Sequence, residues 1–290
     1  MMPIHARRVR PSRRATAAAM AVPIFAAVVA LIVVSPLGGW NGSASGWNGS
    51  ASAATNQSPT WVNYFFPLKV GWTCHESLTG GGATGSETLT VSSVKQVPQG
   101  RSVTVTEGSS STVGGTSVPT NAVLHYILSK TGQLITVPSG GQVAGQLFNY
   151  TGDTTDPSVT ALLSGKSTVS RTHIVAPLSA TDLAELKGVL PANATSLDMA
   201  VDIAQRGGPV PTLQTSMGTF HHLIAVHSLV KAIAFTNVAK GASKELATAI
   251  MPTIRKELSA TTWYAPGVGP IKITTGGFTS VLTSCGPAAG

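Results

Sequence analysis

The stretch GTFHHLIAVHS, residues 218–228, holds three of the chain's seven histidines. Histidine is the side chain best suited to ligate a metal or move a proton near neutral pH. The segment reads as a strand, in which successive side chains take opposite faces and each residue advances the chain about 3.3 Å. His221 and His227 then share a face but stand roughly 20 Å apart, and His222 points the other way. Wound as a helix, His222 and His227 would lie about 140° apart around the axis. Neither geometry makes a chelating pair. A site would need His75, His125 or His173 from neighbouring strands. These are therefore read as strand histidines satisfied locally, with no metal site, no cofactor and no assigned catalytic set. An enzyme using His221, His222 or His227 with a carboxylate is kept as a second alternative.

Other motifs carry less. SGKST (164–168) resembles the end of a phosphate-binding loop, but Thr160 stands where that pattern needs glycine. The segment also opens a strand where the motif opens a helix, so it reads as a turn. Asp198 and Asp202 share a strand face roughly 13 Å apart, wider than either glycosidase spacing, and read as outer-face residues. TGGGATGSE (79–87) reads as a hairpin loop. No G-x-S-x-G or H-E-x-x-H occurs.

The N-terminus has the layout of an export signal. Arg7, Arg8, Arg10, Arg13 and Arg14 precede an apolar run over 17–38, and small residues follow, with Ala51-Ser52-Ala53 as a cleavage site. The alternative is an uncleaved anchor, since the apolar run nearly spans a bilayer; membrane contact would then come only through this segment. GWNGSAS occurs twice in tandem over 39–52 and reads as a flexible spacer. Residues 1–53 are thus signal or anchor with spacer, 54–60 a linker, and 61–290 a single domain. Five of the nineteen Lys and Arg lie in the signal, which leaves fourteen bases against eleven acids. With no dense basic run interleaved with aromatics, nucleic-acid binding is not expected. In an exported chain, the two cysteines, Cys74 and Cys285, read as a disulfide closing a loop of roughly 210 residues. Two free thiols at a catalytic or metal site are the other reading.

The folded part has a β texture. SETLTVSSVKQV (86–97) and RSVTVTEG (101–108) alternate and flank PQG, a hairpin pattern. AVLHYILSK (122–130) and GQLITVPS (132–139) form a second pair, and 167–177 another strand. SLDMAVDIAQRGGPVPTLQTSMG (196–218) places Leu197, Met199, Val201 and Ile203 on one face, with a reversal expected at Arg206-Gly207-Gly208-Pro209. GPIKITTGGFTSVLTSC (269–285) closes the chain as a hairpin. Helices are expected at 179–190, capped by Ser179, and at 243–258, where Leu246, Ile250, Ile254 and Leu258 form a stripe. Pro252 should kink or restart the second helix.

Both ends of this domain carry a resemblance. YFFPLKVGWTC (64–74) is similar to the YFPLKVGNTW opening of exported, mostly uncharacterised bacterial β proteins. TTWYAPGVGPIKI (261–273) is similar to their YYAPGVGLVK closing segment. The match covers about 23 residues and names no activity. Cys74 and Cys285 stand where that pattern has aromatic residues. If the two strands are neighbours, a disulfide replaces a packed pair. The general plan resembles the curved half-barrels of bacterial lipoprotein carriers and mycobacterial lipid-carrying lipoproteins. That resemblance implies a concave apolar face covered by helices to hold acyl chains, although this chain lacks a lipid-attachment cysteine.

The expected fold is mainly β (α+β), a long antiparallel curved sheet or half-barrel covered by one or two helices. Tyr126, Leu128, Met199, Val201, Phe220, Ile224, Val226, Ile250 and Ile254 would line a ligand space, unless they simply fill a core. The expected function is non-catalytic extracytoplasmic binding of an apolar small molecule or lipid-like ligand. The alternative is a structural or protein-interaction module meeting other envelope proteins. Either way the chain is read as exported, extracellular or envelope-associated.

Overall fold

A computed structural model describes residues 59–287 apart from 66, 81–82, 114–115, 144–145, 179–182, 184–187, 240 and 276. The export segment, its spacer and most of the helix expected at 179–190 lie outside the described residues.

Among the described residues, thirteen antiparallel strands dominate. The first five are β1 (Trp72–Gly80), β2 (Ala83–Val97), β3 (Gly100–Val113), β4 (Thr116–Ser129) and β5 (Leu134–Val143). Next come β6 (Gln146–Thr151), β7 (Thr154–Thr155), β8 (Ser167–Pro177), β9 (Ser196–Thr215) and β10 (Gly218–Phe235). The last are β11 (Ala260–Ala265), β12 (Gly269–Thr275) and β13 (Phe278–Pro287). Among the described residues, three helices interrupt them: α1 (Trp61–Tyr64), α2 (Val159–Leu163) and α3 (Ala242–Leu258).

The sheet runs β4-β3-β2-β1-β13-β12-β11-β10-β9-β8-β6-β5, and β4 also pairs with β5. The ladder therefore returns on itself as a barrel-like ring of twelve strands, with the two-residue β7 added to β5. The curved antiparallel sheet anticipated from the alternating pattern is present, and it goes further round than a half-barrel. Closure removes the unpaired edges that a sheet of this length would otherwise present to other chains. First and last strands are neighbours: Cys74 lies opposite Cys285 and is bonded to it.

Strand parity sets the inside. Leu89 and Val91 on β2, Val103 and Val105 on β3, and Leu124, Tyr126 and Leu128 on β4 point inward. Across the ring they meet Ile174, Met199, Val201, Ile224 and Val226 in one core. One end of the barrel is stoppered. Trp61, in α1, is 1% exposed; its backbone N–H donates to the Gly132 carbonyl and its indole N–H to the Pro157 carbonyl at 2.8 Å. Trp61 meets Tyr264 edge-on, and Phe65 meets Tyr126 in the same way. Gly267, in the β11–β12 turn, donates its N–H to the Asn63 carbonyl. The strap thus spans the end from the β4–β5 turn to the β11–β12 turn. α2 adds the buried Val159 and Leu162 there.

Arg206-Gly207-Gly208-Pro209 does not reverse the chain. β9 continues to Thr215 and turns at Ser216–Met217. β8 ends its pairing at Arg206, so Pro209, which has no N–H, lies where β9 has no neighbour on that side. Gly207 is needed for space: a Cβ there would come within 2.7 Å of the Leu162 side chain. Residues 207–223 thus form an arm beyond the ring. It reaches β13, where the Ser216 hydroxyl donates to the Leu282 carbonyl, and half-buries Val210, Leu213, Met217 and Phe220. α3 packs on β10, runs on past Pro252, and lets the Arg255 guanidinium donate to the Val230 and Lys231 carbonyls.

Candidate functional site

The histidines do not build a site. His75, His125 and His227 each share a hydrogen bond with the threonine directly opposite on the next strand: Thr88 at 3.0 Å, Thr104 at 3.1 Å and Thr261 at 2.8 Å. His221 and His222 are exposed at the root of the arm, their rings 6.5 Å apart. His222 has φ +57°, a left-handed conformation that histidine tolerates better than most side chains. Among the described residues, no group of three His, Cys, Asp or Glu is placed to hold a metal ion. Asp202 faces outward in a two-pronged pair with Arg171, at 2.6 and 2.8 Å. Asp198 sits on the same strand and accepts from Ser196.

The residues expected to line a ligand space occupy the core. Tyr126, Leu128, Met199, Val201, Ile224 and Val226 are all buried in one cluster, and Phe220 packs against it from the arm. The side chains of Ile250 and Ile254 lie outside the described residues.

Acids, rather than histidines, gather inside. Glu76 lies directly opposite Glu87 across β1 and β2. Glu107 on β3 lies opposite Leu89, two residues from Glu87 on the same inward face. Glu76 and Glu107 are 3% and 4% exposed, and Glu87 is half-buried. Below them the wall is apolar, with Leu89 and Val105 both at 1%. Glu76 accepts from the Ser280 hydroxyl of β13. Neither oxygen of Glu107 has a hydrogen-bond partner. Burial pushes the Glu76 carboxyl up to about 7, against a smaller lowering by Ser280. Burial first, and the Glu76 charge second, push Glu107 up to about 8. Glu87 is raised by burial, then by Glu107 and Glu76. Such a group can hold protons near neutrality, repel anions and accept hydrogen bonds from a cation.

Apart from this cluster, another buried acid lies under the stopper. Asp156 is raised to about 7 by burial, against a hydrogen bond from Gln205, and its backbone N–H donates to the Leu134 carbonyl. It stands near Tyr264, whose hydroxyl burial raises further.

The sequence reading missed the glutamates although a signal exists. Each continues an apolar parity: Cys74-Glu76-Leu78, Glu87-Leu89-Val91 and Val103-Val105-Glu107. Glu87 falls where the stretch read as loop (79–87) overlaps the expected strand (86–97), whereas β1 runs to Gly80 and β2 resumes at Ala83, placing it well inside the ladder.

Fold and interior together define a class: a mainly β, barrel-like antiparallel sheet with few helices and an acid cluster on its inner wall. Two solved structures are similar to this chain at low identity. One is described as a lipoprotein from Parabacteroides distasonis ATCC 8503, with 13% identity, TM-score 0.40, and coverage of 79% of this chain and 100% of that one. The other is described as an exported protein with a YmcC-like fold from Bacteroides fragilis NCTC 9343, with 12% identity, TM-score 0.44, and coverage of 77% and 99%. No protein-family profile and no curated protein matches the chain.

Proposed function

We propose that this chain is a non-catalytic extracytoplasmic binding protein that takes an apolar or lipid-like ligand into its barrel. The observation carrying this reading is a ring of twelve strands stoppered at one end by α1 and α2. Side chains alone fill a barrel of about eight strands, and wider rings enclose ligands or channels. An apolar inner wall selects a ligand with hydrocarbon character. The Cys74–Cys285 bond suits an oxidising compartment outside the cytoplasm, in keeping with the signal-like N-terminus.

The test is native mass spectrometry of the exported protein with its disulfide intact, together with titration by Nile red. The expected result is saturable dye uptake and a bound mass that organic solvent removes. A clean apo mass with no saturable uptake would overturn the reading in favour of an envelope interaction module.

A further inference from the structure

We infer that Glu76, Glu87 and Glu107 form the acceptor site for the ammonium group of an amphiphilic amine, an inference that rests on the binding-protein reading above. The three carboxyls project from adjacent strands to one side of the sheet. Glu107 is the decisive member, because it is 4% exposed and both of its oxygens lack a partner. Native proteins nearly always complete a buried polar group, and an orphaned one calls for a missing donor. The donor must be positive or neutral, since three acids repel an anion. The carboxyls are not arranged as a metal cage. A primary ammonium carries three N–H donors and no acceptor, which suits a wall whose ionised carboxyls offer only acceptors. The surrounding wall of Leu78, Leu89 and Val105 suits the hydrocarbon part of the same molecule. Glu87, half-buried, is the least buried of the three.

Facing elements supply no competing cation among the described residues: β13 contributes Ser280 and β4 contributes Ala122. Burial and mutual repulsion keep protons on the unliganded carboxyls. Binding of an ammonium therefore displaces protons, and amine affinity rises with pH through neutrality.

The experiment uses the full exported chain with its disulfide formed and compares decylamine, decanol and decanoate by isothermal titration calorimetry at pH 8, with Nile red as the neutral probe. Decylamine is expected to bind at least ten-fold more tightly than decanol, with decanoate weakest. Glu107→Gln is expected to cut decylamine affinity at least ten-fold while Nile red uptake is retained. Glu87→Gln, at the half-buried position, gives the same readout with less demand on folding, and circular dichroism checks both variants. Equal binding of decylamine and decanol, with Nile red still taken up, overturns the amine site and leaves the apolar-ligand reading standing. Decylamine binding that both variants leave unchanged also overturns the site. If neither dye nor amine binds, the binding-protein reading itself fails.

Discussion

Replacing Glu107 by glutamine should make the protein more stable at neutral pH and leave it nearly unchanged in acid. Burial and Glu76 push the Glu107 carboxyl up to about 8, from an ordinary value of 4.5. Between those values the native protein keeps a proton that the unfolded chain has released. Stability therefore falls as pH rises through this window and levels off above it. At pH 7 the accumulated loss from this one group is about 3 kcal/mol, taking 1.36 kcal/mol per pH unit. Glutamine fills the same volume, meets the same unpartnered surroundings and never titrates. At pH 4.5 the variant should match the parent within about 1 kcal/mol. At pH 7 it should melt roughly 6–12 °C higher, at about 2–4 °C per kcal/mol for a domain of this size. The assay is thermal unfolding of both proteins from pH 4.5 to 8, with the disulfide intact. Two melting curves that stay parallel in pH would refute the reasoning, because they would mean that Glu107 is as well solvated folded as unfolded.

Four further outcomes follow from the packing. Changing both Cys74 and Cys285 to alanine should lower unfolding free energy by roughly 4–5 kcal/mol, read from urea midpoints, since the bond closes a very long loop. Trp61→Ala should cost about 3–5 kcal/mol, because this side chain stoppers the barrel and binds the Pro157 carbonyl; a melting temperature within error of the parent would show that the strap is dispensable. Gly207→Ala should destabilise by about 1–3 kcal/mol through overpacking against Leu162. Gly208→Ala, where a Cβ meets no atom within 4 Å, should be nearly silent in the same melts.

Much of the barrel was legible because period-two alternation writes strand faces directly. The pairs around Gln99 and Thr131, the strand at 167–177 and the closing hairpin all follow from apolar parity and turn residues. Closure was not legible, because pairing of β4 with β5 as well as β3 is a property of curvature around the ring. The Gly-Gly-Pro reversal failed for a physical reason. Those residues favour turns only where the chain needs one, and here they serve an edge without a neighbour and a close approach by Leu162. For the site, residue type alone points to histidine. The informative feature was position: glutamates on an apolar face are costly, whereas histidines opposite threonines are ordinary.

Asp156 and Glu107 argue the functional point by contrast. Both are raised chiefly by loss of water. Asp156 lies beneath the stopper, has Gln205 as a hydrogen-bond donor, and leaves only Oδ2 unpartnered. Its backbone is pinned to Leu134, so the fold itself accounts for its position. Glu107 has no donor for either oxygen, and its close neighbours on the same wall are two more acids. A chain selected for stability alone would place an apolar residue there, as it does two positions earlier at Val105. The fold gains nothing from an orphaned carboxyl that loosens it at neutral pH. A bound cation would recover that lost stability in proportion to its affinity, so decylamine should raise the melting temperature of the parent and have little effect on Glu107→Gln.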